Sequence, residues 1–187
     1  MHLLTISGSL RAGASNTVLL DAAARVAPRG VVVSPYGDLA ALPAFNPDLD
    51  TPDGGALPPH VAALRRAVGR ADGLLLSAPE YAHGLPGAFK NLLDWLVGSV
   101  EFPGKPTAAL TASAWSTHAP AQLREVLTTM NARLVDAACV TLPVPRGLDA
   151  AAVATDPALG PALRAVVAAL VSAAGDTSRG DTSRAAS

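Results

Sequence analysis

The sequence predicts an α/β domain in which a parallel sheet is covered by helices on both faces. Three observations predict it. Five apolar runs of strand length alternate with five segments of helical period. The strand runs show little alternation of apolar and polar residues, as strands buried on both faces do. The segments after the first and third runs are loops of Gly, polar and hydroxyl residues that open directly into helices.

In chain order, residues 2–7 ("HLLTIS") read as the first strand, and 16–27 as a helix with Leu19, Ala22, Ala23 and Val26 on one stripe. Asn16 is a good residue type to cap that helix. A second strand over 30–36 ("GVVVSPY") precedes a Gly-, Pro- and Asp-rich connection, 37–58, whose length marks it as functional or disordered. A helix over 59–70, a strand over 73–78 and a helix over 86–97 follow, the two helices carrying Val61, Leu64 and Val68, then Phe89, Leu92, Leu93 and Leu96. The strand 106–112, helix 118–132, strand 134–142 and helix 161–174 complete the pattern, with Pro86, Pro120 and Pro161 suited to first turns. The last thirteen residues repeat GDTSR without an apolar anchor, so the expected domain is 1–174 and the expected disordered tail 175–187.

Composition narrows the function. A chain of 187 residues, half of them hydrophobic, is expected to bury one ordinary core. A net charge of −1 with no basic stripe speaks against nucleic acid as partner. The single cysteine, Cys139, offers no disulfide framework and no zinc pair, and none of the four histidines stands at metal-ligand spacing, so no metal is expected. There is no leader-like N-terminus, and the apolar runs read as too short for a bilayer, so the expectation is no membrane and a cytoplasmic location.

The turn "SGSLRAGASN", residues 7–16, lies where the first strand hands over to its helix. Backbone N–H groups at a helix start favour an anion. The dipole alone supplies ~0.3–1 kcal/mol, whereas each hydrogen bond to a charged group adds ~1.5–3 kcal/mol. Ser7, Ser9, Arg11, Ser15, Asn16 and Thr17 offer side-chain donors, and Gly8 and Gly13 let backbone wrap closely. A plain polar turn capped by Asn16 is the alternative. The spacing fits neither a P-loop, nor the G-x-G-x-x-G fingerprint, nor a nucleophile elbow.

The third strand runs into a similar loop, "SAPEYAHGLPGAFKNLLDWL", residues 77–96. In a doubly wound sheet of order 2-1-3-4-5, the ends of strands one and three lie together where the winding reverses, and flavodoxin holds FMN there. At this point the sequence resembles the NADPH-dependent FMN reductases of flavodoxin-like fold, which include quinone, azo-dye and chromate reductases. The likeness is carried by "GSLRAGASN" (8–16), "LPAFNPDLD" (42–50) and above all "PEYAHGLPGAFKNLLDW" (79–95), and runs over about residues 2–172.

The resemblance implies a flavodoxin-like three-layer sandwich with a five-stranded parallel sheet of order 2-1-3-4-5. It implies FMN as cofactor, with Ser9, Arg11, Ser15, Asn16 and Thr17 at its phosphate and Pro79, Glu80, Tyr81, Ala82, His83 and Gly84 along its ring. Ser113 and Trp115 are expected in the third loop of the site. It further implies NADPH or NADH as electron donor, a flavin, quinone or similar small acceptor, and a homodimer or homotetramer. The chain departs from the family at Ala82, where Asn is usual, and at "SAWSTHAP", residues 113–120, where a glycine-rich stretch is common. Trp115 reads equally as a partner of the ring and as an aromatic packed under a loop or at a subunit contact. Glu80 reads as an exposed acid or an intersubunit contact, His83 and His118 as proton donors or solvated loop residues, and Lys90–Asp94 as a surface ion pair beside a buried Trp95. Two rival readings are an electron carrier that does not oxidise NADPH and a flavin-free relative, since fold alone does not choose among them.

Overall fold

In a computed structural model, the structure describes residues 1–50 and 57–184, with side chains through residue 176. Eleven elements alternate along the chain: β1 (His2–Ser7), α1 (Ser15–Val26), β2 (Val32–Pro35), α2 (Pro59–Arg70), β3 (Gly73–Ser77), α3 (Gly87–Val97), β4 (Pro106–Leu110), α4 (His118–Thr129), β5 (Arg133–Leu134), α5 (Ala150–Thr155) and α6 (Leu159–Arg184). The strands form one parallel sheet of order β2-β1-β3-β4-β5, as expected.

Strand periodicity divides the core in two. Leu4, Ile6, Leu74 and Leu76 face α2, α3 and α4, where they meet Val61, Leu64, Phe89, Leu92 and Leu123. Their neighbours Leu3, Leu75, Ala108 and Leu110 face α1, α5 and α6, where they meet Leu19, Leu163, Val166 and Leu170. Both faces of the central strands are buried, which is why their sequence is mostly apolar on both faces rather than alternating, with only a few buried hydroxyls such as Thr5, Ser77 and Thr107.

Several elements differ from expectation for identifiable reasons. β5 is two residues long rather than nine, because the chain leaves the sheet in a 3-10 turn, Asp136–Ala138, and returns only as a bridge between Thr111 and Thr141. There Asp136 forms an ion pair with Arg124 at 2.8 Å. The short α5 was not predicted; its signal is Asp149, whose carboxylate accepts from Ala152 N–H. α6 begins at Leu159 and is described to Arg184, past residue 174 where the sequence placed the start of a tail. Residues 159–176 of α6 are, by length and composition, apolar enough to cross a membrane (mean hydropathy 1.3). One face of that segment, Leu163, Val166, Val167, Leu170 and Ala174, is buried against the sheet and its neighbours, so its apolarity is used in the core.

The described part of the 37–58 connection is held by specific bonds; residues 51–56 of it lie outside the described residues. The Pro43 carbonyl accepts from Asn91 Nδ2 (2.9 Å) and Trp95 Nε1 (2.8 Å), and Phe45 meets the Trp95 ring edge-on at 5.0 Å. Arg65, buried, donates through Nε and Nη2 to the Trp95 carbonyl and through Nη2 to Asp50 at 2.7 Å. A buried cation of this kind is tolerable because Nε and Nη2 find these acceptors and Asp50 supplies the opposite charge. Lys90 and Asp94 form the expected i,i+4 ion pair beside the buried Trp95.

Candidate functional site

A cavity of about 670 Å³ opens where β1, β3 and β4 end at their C-terminal edge, a size suited to a cofactor-like ligand. Four segments wall it: the turn before α1, the loop after β3, the loop after β4, and residues 143–146.

The first turn is built from hydroxyls. Ser7 Oγ pairs with Thr17 Oγ1 at 2.8 Å and accepts from Ser9 N–H; Ser9 Oγ in turn accepts from Arg11 N–H. Gly13 takes a left-handed backbone, φ 64°. Gly8 serves packing rather than a ligand: a Cβ there would meet Ala78 Cβ at 2.6 Å and Phe89 at 2.9 Å. Asn16 is not the cap of α1. It lies inside the first turn, buried, and its Oδ1 accepts from Ser77 Oγ at 2.7 Å, tying α1 to the end of β3. The N-cap is Ala14, with no side-chain cap and no acid in the first turn. The start of α1 therefore presents backbone donors that no side chain satisfies, a feature suited to an anion. Ser15 Oγ donates to the Val144 carbonyl (3.4 Å), which brings residues 143–146 to the site.

The second loop folds back on itself. Tyr81 and Gly84 exchange both backbone hydrogen bonds at 3.0 Å, and the two central residues are left-handed, Ala82 at φ 48° and His83 at φ 60°. This is the geometry of a type I′ turn, which favours Asn and Gly and which other residues enter at a cost of roughly 1–2 kcal/mol each. Glu80 Oε2 accepts from His118 N–H (2.8 Å) and Ala119 N–H (2.9 Å), so the acid caps α4 instead of standing free. Those bonds, Ala119 first, hold the Glu80 carboxyl below the ordinary glutamate range. Behind them the His83 and His118 rings stack, centroids 4.3 Å apart and planes 20° from parallel.

In the third loop Ser113 Oγ accepts from Trp115 N–H at 3.2 Å, and the Trp115 ring stands at the cavity rim, 91% exposed. Packing under a loop is thus not its role within this chain. Of the residues singled out in the sequence, Ser9, Arg11, Ser15, Asn16, Pro79, Glu80, Tyr81, Ser113 and Trp115 line the cavity. Thr17 stands behind it, bonded to Ser7, and Ala82, His83 and Gly84 form the turn beside it. The sequence reading missed Pro143, Val144, Pro145 and Arg146. Their signal was "LPVPRG", ending on Gly147 at φ 88°, just after the predicted fifth strand. Arg11 and Arg146 have no ion-pair partner among the described residues, so two arginines against one engaged glutamate bias the cavity toward anions.

The sequence profile of the NADPH-dependent FMN reductase family matches residues 1–145. The chain is 37% identical over 116 residues to an NAD(P)H-dependent FMN reductase of Pseudomonas aeruginosa, covering 61% of this chain and 60% of that protein. It is 32% identical over 115 residues to the quinone reductase of Escherichia coli K12, covering 60% of each. The matches thus span about 60% of the length of these relatives. In fold it is similar to FerB, a flavoenzyme NAD(P)H:(acceptor) oxidoreductase of Paracoccus denitrificans, with TM-score 0.73 and 24% identity over 94% of this chain and 97% of that one. An archaeal flavodoxin gives TM-score 0.63 at 15% identity, covering 92% of this chain and 99% of that one.

Proposed function

The chain belongs to the NADPH-dependent FMN reductase family, and from that premise we propose that it binds FMN in the cavity at the ends of β1, β3 and β4 and works as an NAD(P)H-dependent oxidoreductase. The acceptor class is a flavin, quinone or similar small molecule, in keeping with the names of its relatives. The observation that carries the reading is the uncapped start of α1 beside Arg11: unsatisfied backbone donors and a cation at one end of the cavity fit a phosphate monoester.

When bound, FMN supplies the two-electron chemistry, taking hydride from a nicotinamide and releasing electrons to the acceptor. The chain's own part is binding and orientation. Ser9, Arg11, Ser15, Asn16 and Thr17 supply or shape the phosphate cradle, Ser15 and Thr17 largely by fixing the backbone through Val144 and Ser7. Residues 79–84 form the wall for the ring, with backbone held by the turn and by the Glu80 bonds to α4. Ser113 shapes the loop that carries Trp115, whose exposed indole offers an aromatic lid over the opening. An exposed aromatic at a site mouth also fits a homodimer in which a second copy covers it.

The purified protein is expected to bind FMN and to consume NADPH or NADH when a quinone is supplied. Arg11→Ala combined with Ser15→Ala is expected to weaken FMN binding by roughly tenfold or more, since one lost bond to a charged group is worth ~1.5–3 kcal/mol. Riboflavin, which lacks the phosphate, is expected to lose little. Equal losses for both ligands in a fluorescence titration would contradict the cradle.

A further inference from the structure

We propose that Glu80, His83 and His118 form a binding site for a late first-row divalent cation such as Zn²⁺, on the outer wall of the cavity. One ligand atom from each residue lies within 4.8 Å of the others. Two ligands on one tetrahedral zinc, with bonds of ~2.0–2.1 Å, stand roughly 3.3 Å apart, so each pair closes by at most about 1.5 Å on binding. His83 and His118 are exposed, which leaves their side chains room to unstack the rings, now 20° from parallel, and bring one nitrogen of each to a common ion. Two imidazoles with a carboxylate suit zinc, copper or nickel rather than magnesium or calcium, which prefer all-oxygen sets.

Three features of this chain make the cluster more than a chance meeting of surface groups. His83 is held in position by the two-residue turn that Tyr81 and Gly84 close, with a left-handed backbone at φ 60°. The Glu80 carboxylate is already oriented, its Oε2 fixed by the His118 and Ala119 N–H groups, which leaves the second oxygen for an ion. Those same bonds connect the strained turn to the first residue of α4, so all three ligands sit on one braced unit rather than on separate loops. Three protein ligands leave at least one position of a four-coordinate ion for water or for an oxygen of a bound molecule.

The proposal stands apart from the flavin reading, and its test does not use activity. Equilibrium dialysis of the full-length protein against Zn²⁺, free of added flavin, is expected to give one tightly bound equivalent per chain. His83→Gly, which removes a ligand while easing the backbone, and His118→Ala are each expected to weaken that site at least tenfold, because even loss of an outer partner costs zinc sites about 10–100-fold. His60→Ala, on the exposed start of α2, is expected to leave it unchanged. Imidazole NMR signals of His83 and His118 are expected to move with Zn²⁺ while those of His2, bonded to Ser34 Oγ at 2.6 Å, stay in place. Absence of a stoichiometric site in the unmodified chain would overturn the proposal, as would full retention of binding in the His83→Gly, His118→Ala double variant with an unchanged melting profile.

Discussion

Tyr36 ends the second strand region with a hydroxyl that is buried and has no hydrogen-bond partner among the described residues. Burial, helped by the nearby Asp38 charge, pushes its pKa up to about 12. An unsatisfied buried hydroxyl carries a desolvation penalty of ~1–3 kcal/mol. Tyr36→Phe keeps the ring and removes the orphan, so it is expected to raise unfolding free energy in urea by about 1 kcal/mol; a loss of stability would mean that the hydroxyl has a partner. Ala82 shows the reverse situation at the same scale. The backbone gives a reason for the Asn usual in the family at this position, since Asn tolerates the left-handed conformation that Ala82 adopts at φ 48°.

At the scale of elements, the loop after β3 and the start of α4 behave as one piece, because Glu80 caps the helix across a separation of 38 residues. A carboxylate whose folded pKa lies below its unfolded value stabilises the fold above the ordinary glutamate range and loses that contribution as pH falls through the folded value. Glu80→Gln keeps an acceptor but removes the charge. The variant is therefore expected to melt lower than the parent at neutral pH, with the gap narrowing on acidification, as read by melting temperature between neutral pH and the acid limb. The 37–50 segment, with 3-10 turns at Leu39–Ala41 and Pro47–Leu49, is likewise tied to the rest of the molecule by anchors, Pro43 to Trp95 and Asp50 to Arg65.

For the molecule as a whole, the cavity of about 670 Å³ lies at the point where the winding of the sheet reverses. If donor and acceptor use that cavity in turn, they exclude one another, and steady-state kinetics are expected to show double displacement. Parallel lines in reciprocal plots at several quinone concentrations check this; converging lines would require a second substrate site.

The order of layers, the polar turn between the first strand and its helix, and the family were legible in the sequence, because each depends on local pattern: mostly apolar runs for strands buried on both faces, and hydroxyls with glycine between a strand and a helix. What the tertiary structure alone decided were pairings between distant residues. Ser77 takes Asn16 from its expected place as cap, Ala78 and Phe89 rather than a ligand dictate Gly8, the chain turns out of the fifth strand at Asp136, and Glu80 meets α4 with His83 beside His118. Helical and strand periods report which face of an element is buried, whereas a hydrogen bond across 38 or 61 residues has no period to report it.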